Sequence, residues 1–197
     1  MVGRPIHRMA STRSPTLETL LLFVVVFALQ GVASFVGLLG LFVLAPPITA
    51  NPWTIVTSVY AHGSLGHLIS NSLALLLAGL LVERRTTRLR FHVFFLTVGA
   101  LAGIAQVVST GLLGPGTAVL GASGAVFGLF GYLLAGNVVA ASLLDRIKLS
   151  PRAQFALFAV AALGVTVATG RPGVALVAHF TGLLLGLLAG AVGLLDR

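Results

Sequence analysis

The sequence predicts an all-α integral membrane protein, a bundle of six transmembrane helices. Three observations carry that expectation. Of the 197 residues, 57% are hydrophobic and only 8% are charged, against about 25% charged in a typical soluble domain. The apolar residues fall in long runs, and a helix needs about 20 of them to cross the hydrocarbon core. The basic residues gather in alternate connections between those runs. A soluble helical bundle would lack the polar surface to cover itself. A closed barrel would need alternation with period two, which these runs lack.

The predicted spans are 17–45, 65–82, 91–112, 121–141, 153–169 and 173–195. The first is long, and Gln30 and several glycines interrupt it, so a tilt or a stretch along the surface is expected there. Pro46, Pro47 and Pro52 punctuate the loop that follows. Trp53 and Tyr60 have the amphipathic rings that favour the headgroup level. No repeat of 20–50 residues is visible. The expected organisation is a cytoplasmic segment over 1–16 and one six-helix domain over 17–197, with no removable signal peptide.

Charge gives the orientation. Arg4, Arg8 and Arg13 precede the first span; Arg84, Arg85, Arg88 and Arg90 follow the second; Arg146, Lys148 and Arg152 follow the fourth; Arg197 follows the sixth. With alternating spans all eleven fall on one side, and only Arg171 falls on the other. By the positive-inside rule both termini are cytoplasmic, and the loops 46–64, 113–120 and 170–172 face outward, as in a cell membrane of prokaryotic type. This arrangement also accounts for the net charge of +8 without nucleic acid as a partner. There are no cysteines, so neither a disulfide framework nor a thiolate site is possible.

Polar groups in hydrocarbon are costly, and four ask for an explanation. His67 and Asn71 are four apart, on one helix face. They can aim donors at a common point, or serve as interhelical glue. Ser123 lies in Gly121-Ala122-Ser123-Gly124. A membrane serine usually bonds its own backbone, but Gly121 and Gly124 leave this hydroxyl uncrowded. A helix start here would also present free amide N–H groups. His179 adjoins a small-residue stripe, Ala178, Gly182, Gly186 and Gly190. The fourth span has its own stripe at Gly124, Gly128 and Gly131. Packing of the two stripes would bring His179 toward Ser123. His179 alone is equally a structural residue or a metal ligand. No intramembrane acid or cysteine is present to complete a metal site, and His62 with His67 makes at most a weak zinc pair.

Spans two, four and six run inward, and His67, Ser123 and His179 all lie early in them. All three therefore share the outer half of the membrane. A serine needs a base, and histidine is the usual one. Asn and His side chains and backbone N–H groups can hold an oxyanion. Glu18, Glu83, Asp145 and Asp196 all fall on the cytoplasmic side, so a serine hydrolase built here works with a Ser–His dyad and no acid.

These residues resemble the rhomboid family of intramembrane serine proteases. The likeness runs over nearly the whole chain in three separated motifs. His62 through Asn71 is similar to the family's histidine-rich stretch, in which a His and an Asn four apart line the oxyanion site. Gly121-Ala122-Ser123-Gly124 is similar to its GxSG, and Ala178-His179 with Gly182 and Gly186 to its AHxxGxxxG. The resemblance implies Ser123 as nucleophile, His179 as base, and His67, Asn71 and the Ser123 N–H as oxyanion donors. It implies transmembrane segments of other proteins as substrates, cleaved near the outer face without a cofactor. Phe127 stands where the family usually has Tyr, keeping an apolar ring near His179. Thr54 follows Trp53 where the family often has Arg. Glu83 matches a family glutamate, and Thr87 stands where a Gly often follows. Two other classes stay open at this point: a catalytically silent relative that binds membrane clients, and a small transporter. The first typically lacks Ser or His at these positions, and the second would show paired ionisable residues or an internal repeat.

Overall fold

The computed structural model describes residues 13–136, 149–170 and 173–197. Among them are seven α-helices: α1 (Pro15–Phe35), α2 (Thr54–Tyr60), α3 (Leu65–Val82), α4 (Arg88–Leu113), α5 (Ser123–Ala135), α6 (Pro151–Ala168) and α7 (Leu176–Ala191). Four of these, α1, α3, α4 and α6, are long and apolar enough to cross a membrane, and α5 and α7 are shorter apolar helices. Of the basic and acidic residues read above, Arg4, Arg8, Asp145, Arg146, Lys148 and Arg171 lie outside the described residues.

Helix starts follow local chemistry. Ser14 accepts a hydrogen bond from Leu17 N–H at 3.2 Å, Ser64 from His67 N–H at 3.1 Å, Thr87 from Arg90 N–H at 3.4 Å and Ser150 from Ala153 N–H at 3.3 Å. Each satisfies an amide that the first turn leaves without a partner. Pro15 and Pro151 open α1 and α6, where a missing N–H costs nothing. The helices α5 and α7 have no side-chain cap: Ala122 and Ala175 hold the cap positions.

The first predicted span ends ten residues early. Gly37, at φ +71°, stops α1, with Leu38 N–H bonded to Ala33 carbonyl at 2.9 Å and Gly37 N–H to Ser34 carbonyl at 3.3 Å. This is a glycine C-cap, and a left-handed residue cannot continue the helix. The apolar stretch to residue 45 becomes a loop with a short 3₁₀ turn, Leu39–Phe42. The loop after it contains α2. Tyr60, at the end of α2, packs against Phe23 and Phe95 at ring-centroid distances of 6.4 and 6.2 Å. Tyr60 is partly buried there, and Trp53 is exposed.

One core lies among α1, α3, α4 and α5, around Phe23, Leu75, Phe91, Phe95, Leu129 and Tyr132. A smaller one joins α5, α6 and α7 through Phe158, Ala162, Leu183 and Leu187. The helix α6 packs mainly on α7, and little of it is buried. The acids and arginines tie the basic end together. Glu83 accepts from Ser14 Oγ at 2.7 Å, Glu18 lies 2.7 Å from Arg88 and 2.9 Å from His92, and Asp196 accepts from Tyr132 OH at 2.6 Å.

The closest packing is between α5 and α7. A Cβ on Gly182 would strike the Gly124 carbonyl, one on Gly186 the Gly128 carbonyl, and one on Gly190 the Tyr132 carbonyl. The two small-residue stripes thus meet backbone to backbone. In lipid no hydrophobic effect drives helices together, so such close contacts carry the association. Their Cα–H···O components contribute about 0.5–1 kcal/mol each. Gly182→Val and Gly186→Val are expected to lose at least about 1–3 kcal/mol of stability by overpacking. Gly164→Ala on α6, with open space around it, is expected to be neutral or slightly stabilising. Thermal unfolding in detergent checks all three.

Candidate active site

At the end of the bundle opposite the acids and arginines lies a cavity of about 700 Å³. His67, Ser70 and Asn71 of α3, Ser123 and Phe127 of α5, and His179 of α7 line it. Its other walls include Val165 and Thr169, from α6 and its C-terminal end. The four polar residues singled out in the sequence therefore face one space.

Ser123 is the first residue of α5. The loop that delivers it is held at two points. Val119 and Leu44 exchange backbone hydrogen bonds at 2.8 and 2.9 Å, and Gly121 N–H donates to Ser58 carbonyl at 2.8 Å. Gly121 has φ +132°, and a Cβ there would sit 2.6 Å from His67 Cε1. Glycine is needed on both counts: for the backbone angle and for the imidazole lying against it. Next along, a Cβ on Gly124 would come 2.6 Å from Ala102 Cβ of α4 and 3.5 Å from Ala178 carbonyl of α7. With no side-chain cap, the first amides of α5 have neither a helical nor a capping partner.

His179 is 9% exposed, and its ring stacks on Phe127 at a centroid distance of 4.3 Å. Its Nδ1 is buried without a hydrogen-bond partner. Among the described residues no hydrogen bond joins Ser123 to His179. Catalytic hydrogen bonds are often long in a free enzyme and tighten only with substrate bound. The start of α7 is fixed from α4: Gln106 Oε1 accepts from Ala178 N–H at 3.2 Å, and Gln106 Nε2 lies 3.5 Å from Thr117 Oγ1. One glutamine thus links the helix that carries His179 to the loop that leads to Ser123.

Asn71 is buried, and its Nδ2 donates to His67 carbonyl at 3.1 Å. An amide nitrogen has two N–H groups, so one remains for a ligand. The His67 ring meets the His62 ring edge-on, 5.2 Å between centroids. His62 is itself fixed: its N–H donates to Gln30 Oε1 at 2.9 Å, its Nδ1 lies 3.1 Å from Tyr60 carbonyl, and its ring packs on Phe23 at 4.7 Å. Gln30 breaks the apolar run of α1 in order to hold this loop. Among the described residues no group of three His, Cys, Asp or Glu side chains is placed to hold a metal.

Sequence reasoning missed Gln106, Ser58 and the wall supplied by α6. A buried glutamine in a long apolar helix was a signal that a partner exists, but not which partner.

A family model described as Rhomboid domain matches residues 49–195, and the chain belongs to the rhomboid family. Over 140 residues it is 30% identical to "RHOMBOID-like protein 4" of Arabidopsis thaliana, covering 71% of this chain and 34% of that protein. Over 82 residues it is 33% identical to "Putative rhomboid protease YdcA" of Bacillus subtilis (strain 168), covering 42% of this chain and 40% of that protein. The chain therefore matches well under half the length of either relative. With its apolar helices and its family, it is a multi-pass membrane protein.

Replacing Gln106 by Leu leaves the buried Ala178 N–H without an acceptor, a loss of about 1–3 kcal/mol. Hydrogen exchange in Gln106→Leu is expected to speed up at Ala178 and its neighbours before it does so at the basic end.

Proposed function

We propose that this chain is an intramembrane serine endopeptidase that cleaves transmembrane segments of other membrane proteins. The observation that carries the proposal is the shared cavity: Ser123, His179, His67 and Asn71 line one space, on three helices, two of which, α5 and α7, meet through glycines. Its chemistry needs no cofactor. The positive-inside pattern supports cytoplasmic termini and a cavity on the outer side, within one domain that begins near residue 17.

The helix α5 supports a site below the outer surface. Its inner end is held at the basic side, where Arg85 donates to Gly136 carbonyl at 2.8 Å. Its 13 residues rise about 20 Å in a hydrocarbon core about 30 Å thick. Ser123 then lies roughly 10 Å short of the outer edge of the core, by the same two lengths. The cavity has room for water and for an extended peptide segment.

In this mechanism the Ser123 Oγ attacks the scissile carbonyl carbon as its proton passes to His179 Nε2, the ring nitrogen other than the sealed Nδ1. The carbonyl oxygen takes the electron pair and becomes an oxyanion. The Ser123 N–H, the second Asn71 N–H and His67 donate to it. The C–N bond then breaks, and His179 returns the proton to the leaving amine. Water repeats the sequence on the acyl-enzyme and frees Ser123. Among the described residues no carboxylate bonds His179; stacking on Phe127 and the tight α5–α7 contact orient it instead.

Fluorophosphonate labelling of the detergent-solubilised protein tests the nucleophile. Wild type is expected to label, while Ser123→Ala and His179→Ala are not. Labelling that survives Ser123→Ala would refute the assignment, and an unlabelled, folded wild type would favour a client-binding relative. Asn71→Ala is expected to fold normally and to cleave a transmembrane substrate about 10- to 1,000-fold more slowly, as for other oxyanion donors. Unchanged turnover would remove Asn71 from the site.

A further inference from the structure

A second cavity, of about 360 Å³, opens at the basic end of the bundle. Three arginines reach it from separate parts of the chain: Arg13 ahead of α1, Arg88 at the start of α4, and Arg197. The one side-chain carboxylate lining it, Glu83, accepts with Oε2 alone, from Ser14 Oγ at 2.7 Å and from Thr16 N–H at 3.2 Å, so three arginines face two carboxylates, Glu83 and the Glu18 beside Arg88. Arg88 Nε donates to Glu18 at 2.7 Å, and Arg197 gives Nε and one terminal nitrogen to Thr86 carbonyl at 2.9 and 2.6 Å. Among the described residues Arg13 has no partner, and each of the other two keeps terminal N–H groups for a further acceptor. The three guanidinium groups outnumber these carboxylates, and the excess positive charge suits a further anion. Arginine donors match phosphate geometry closely.

What lies beside this cavity narrows the choice of anion. Arg13 and Arg88 also line a groove of about 510 Å³ between α1 and α4. Leu21 and Leu22 on α1, Val93 and Leu96 on α4, and Tyr60 form its apolar wall; Glu18 and His92 also line it, and Glu18 lies 2.9 Å from His92 and 2.7 Å from Arg88. Leu21, Leu22 and Val93 are exposed in the bundle. From Arg88 to Leu96 the groove follows α4 for about 12 Å, close to the hydrocarbon depth of one leaflet, about 15 Å. A soluble anion would answer the arginines and leave the groove unfilled. A neutral lipid would fill the groove and leave the arginines unanswered.

We propose that this paired cavity and groove is a binding site for an anionic phospholipid, with its phosphate among Arg13, Arg88 and Arg197 and one acyl chain along Leu21, Leu22, Val93 and Leu96. The site is far from Ser123 and does not depend on the chain being a protease. Charged side chains at this level of the membrane attract anionic headgroups strongly enough to matter one residue at a time.

The test uses the full chain in detergent, supplied with phosphatidylglycerol, phosphatidylcholine or glycerol 3-phosphate. Native mass spectrometry reads the ligand retained, and thermal unfolding reads its effect. Wild type is expected to keep one phosphatidylglycerol and to unfold at a higher temperature with it. The double variant R13Q/R88Q is expected to retain at least about tenfold less. R84Q/R152Q removes the same charge outside the cavity and is expected to retain as much as wild type. Leu22→Trp fills the groove with all arginines in place and is expected to lose the lipid too; it decides the matter if R13Q/R88Q does not fold. Equal loss in the two double variants would overturn the proposal, as would unchanged retention in Leu22→Trp or equal retention of phosphatidylcholine. Stabilisation by glycerol 3-phosphate as large as by the lipid would assign the site to a soluble anion instead.

Discussion

The backbone contact between α5 and α7 is the constraint on which the rest of the molecule depends. At Gly182 and Gly186 there is no room even for a methyl group, because the carbonyls of Gly124 and Gly128 occupy the place. Such a contact has one register. A slip by one residue would turn a helix by about 100°, carrying its glycines away from the partner and setting side chains against backbone. Ser123 and His179 lie at the N-terminal ends of the two helices, so the register that packs the bundle also sets how the two residues face each other. Stability and site geometry are here the same requirement.

The two ends of the bundle divide polar chemistry differently. At the basic end the acidic side chains are paired, Glu83 with Ser14, Glu18 with Arg88 and His92, Asp196 with Tyr132, while the hydroxyls of Thr16 and Thr86 and Glu18 Oε1 are buried without a partner. At the other end α5 and α7 begin without caps, and buried nitrogens of His62 and His179 have no partner. An unpaired buried polar group costs about 1–3 kcal/mol. Of the unpartnered groups at this end, His179 lines the cavity itself.

Much of this was legible in the residues. Hydrophobic run length located the apolar helices, and α3 begins and ends where the runs say. The spacing of Ala178, Gly182, Gly186 and Gly190 exposed the α5–α7 contact, because close helix approach needs small residues at intervals of four. The end of α1 was not legible. Leu38 to Ala45 are as apolar as the helix before them, and only the backbone angle at Gly37 separates the two. The helix α2 was hidden because seven residues between Pro52 and Gly63 are too few to give a periodic signal. Gln30 and Gln106 were visible as polar residues in apolar runs, but their partners lie 32 and 72 residues away. A hydrogen bond of that range leaves no mark in local sequence.

Gln106 has a consequence for how the geometry tolerates change. Ala102, against which Gly124 rests, and Gln106, which holds Ala178, are one turn apart on the same face of α4. Serine and histidine are thus both gauged from a single datum, as two parts of an instrument are located from one machined edge. Errors measured from a common reference do not accumulate along the chain between the parts. The connection from α5 through α6 to α7 is long, yet its length and shape do not enter the distance between Ser123 and His179. Among the described residues of that stretch, α6 bears on the pair only through its packing against α5 and α7 and the cavity wall it supplies.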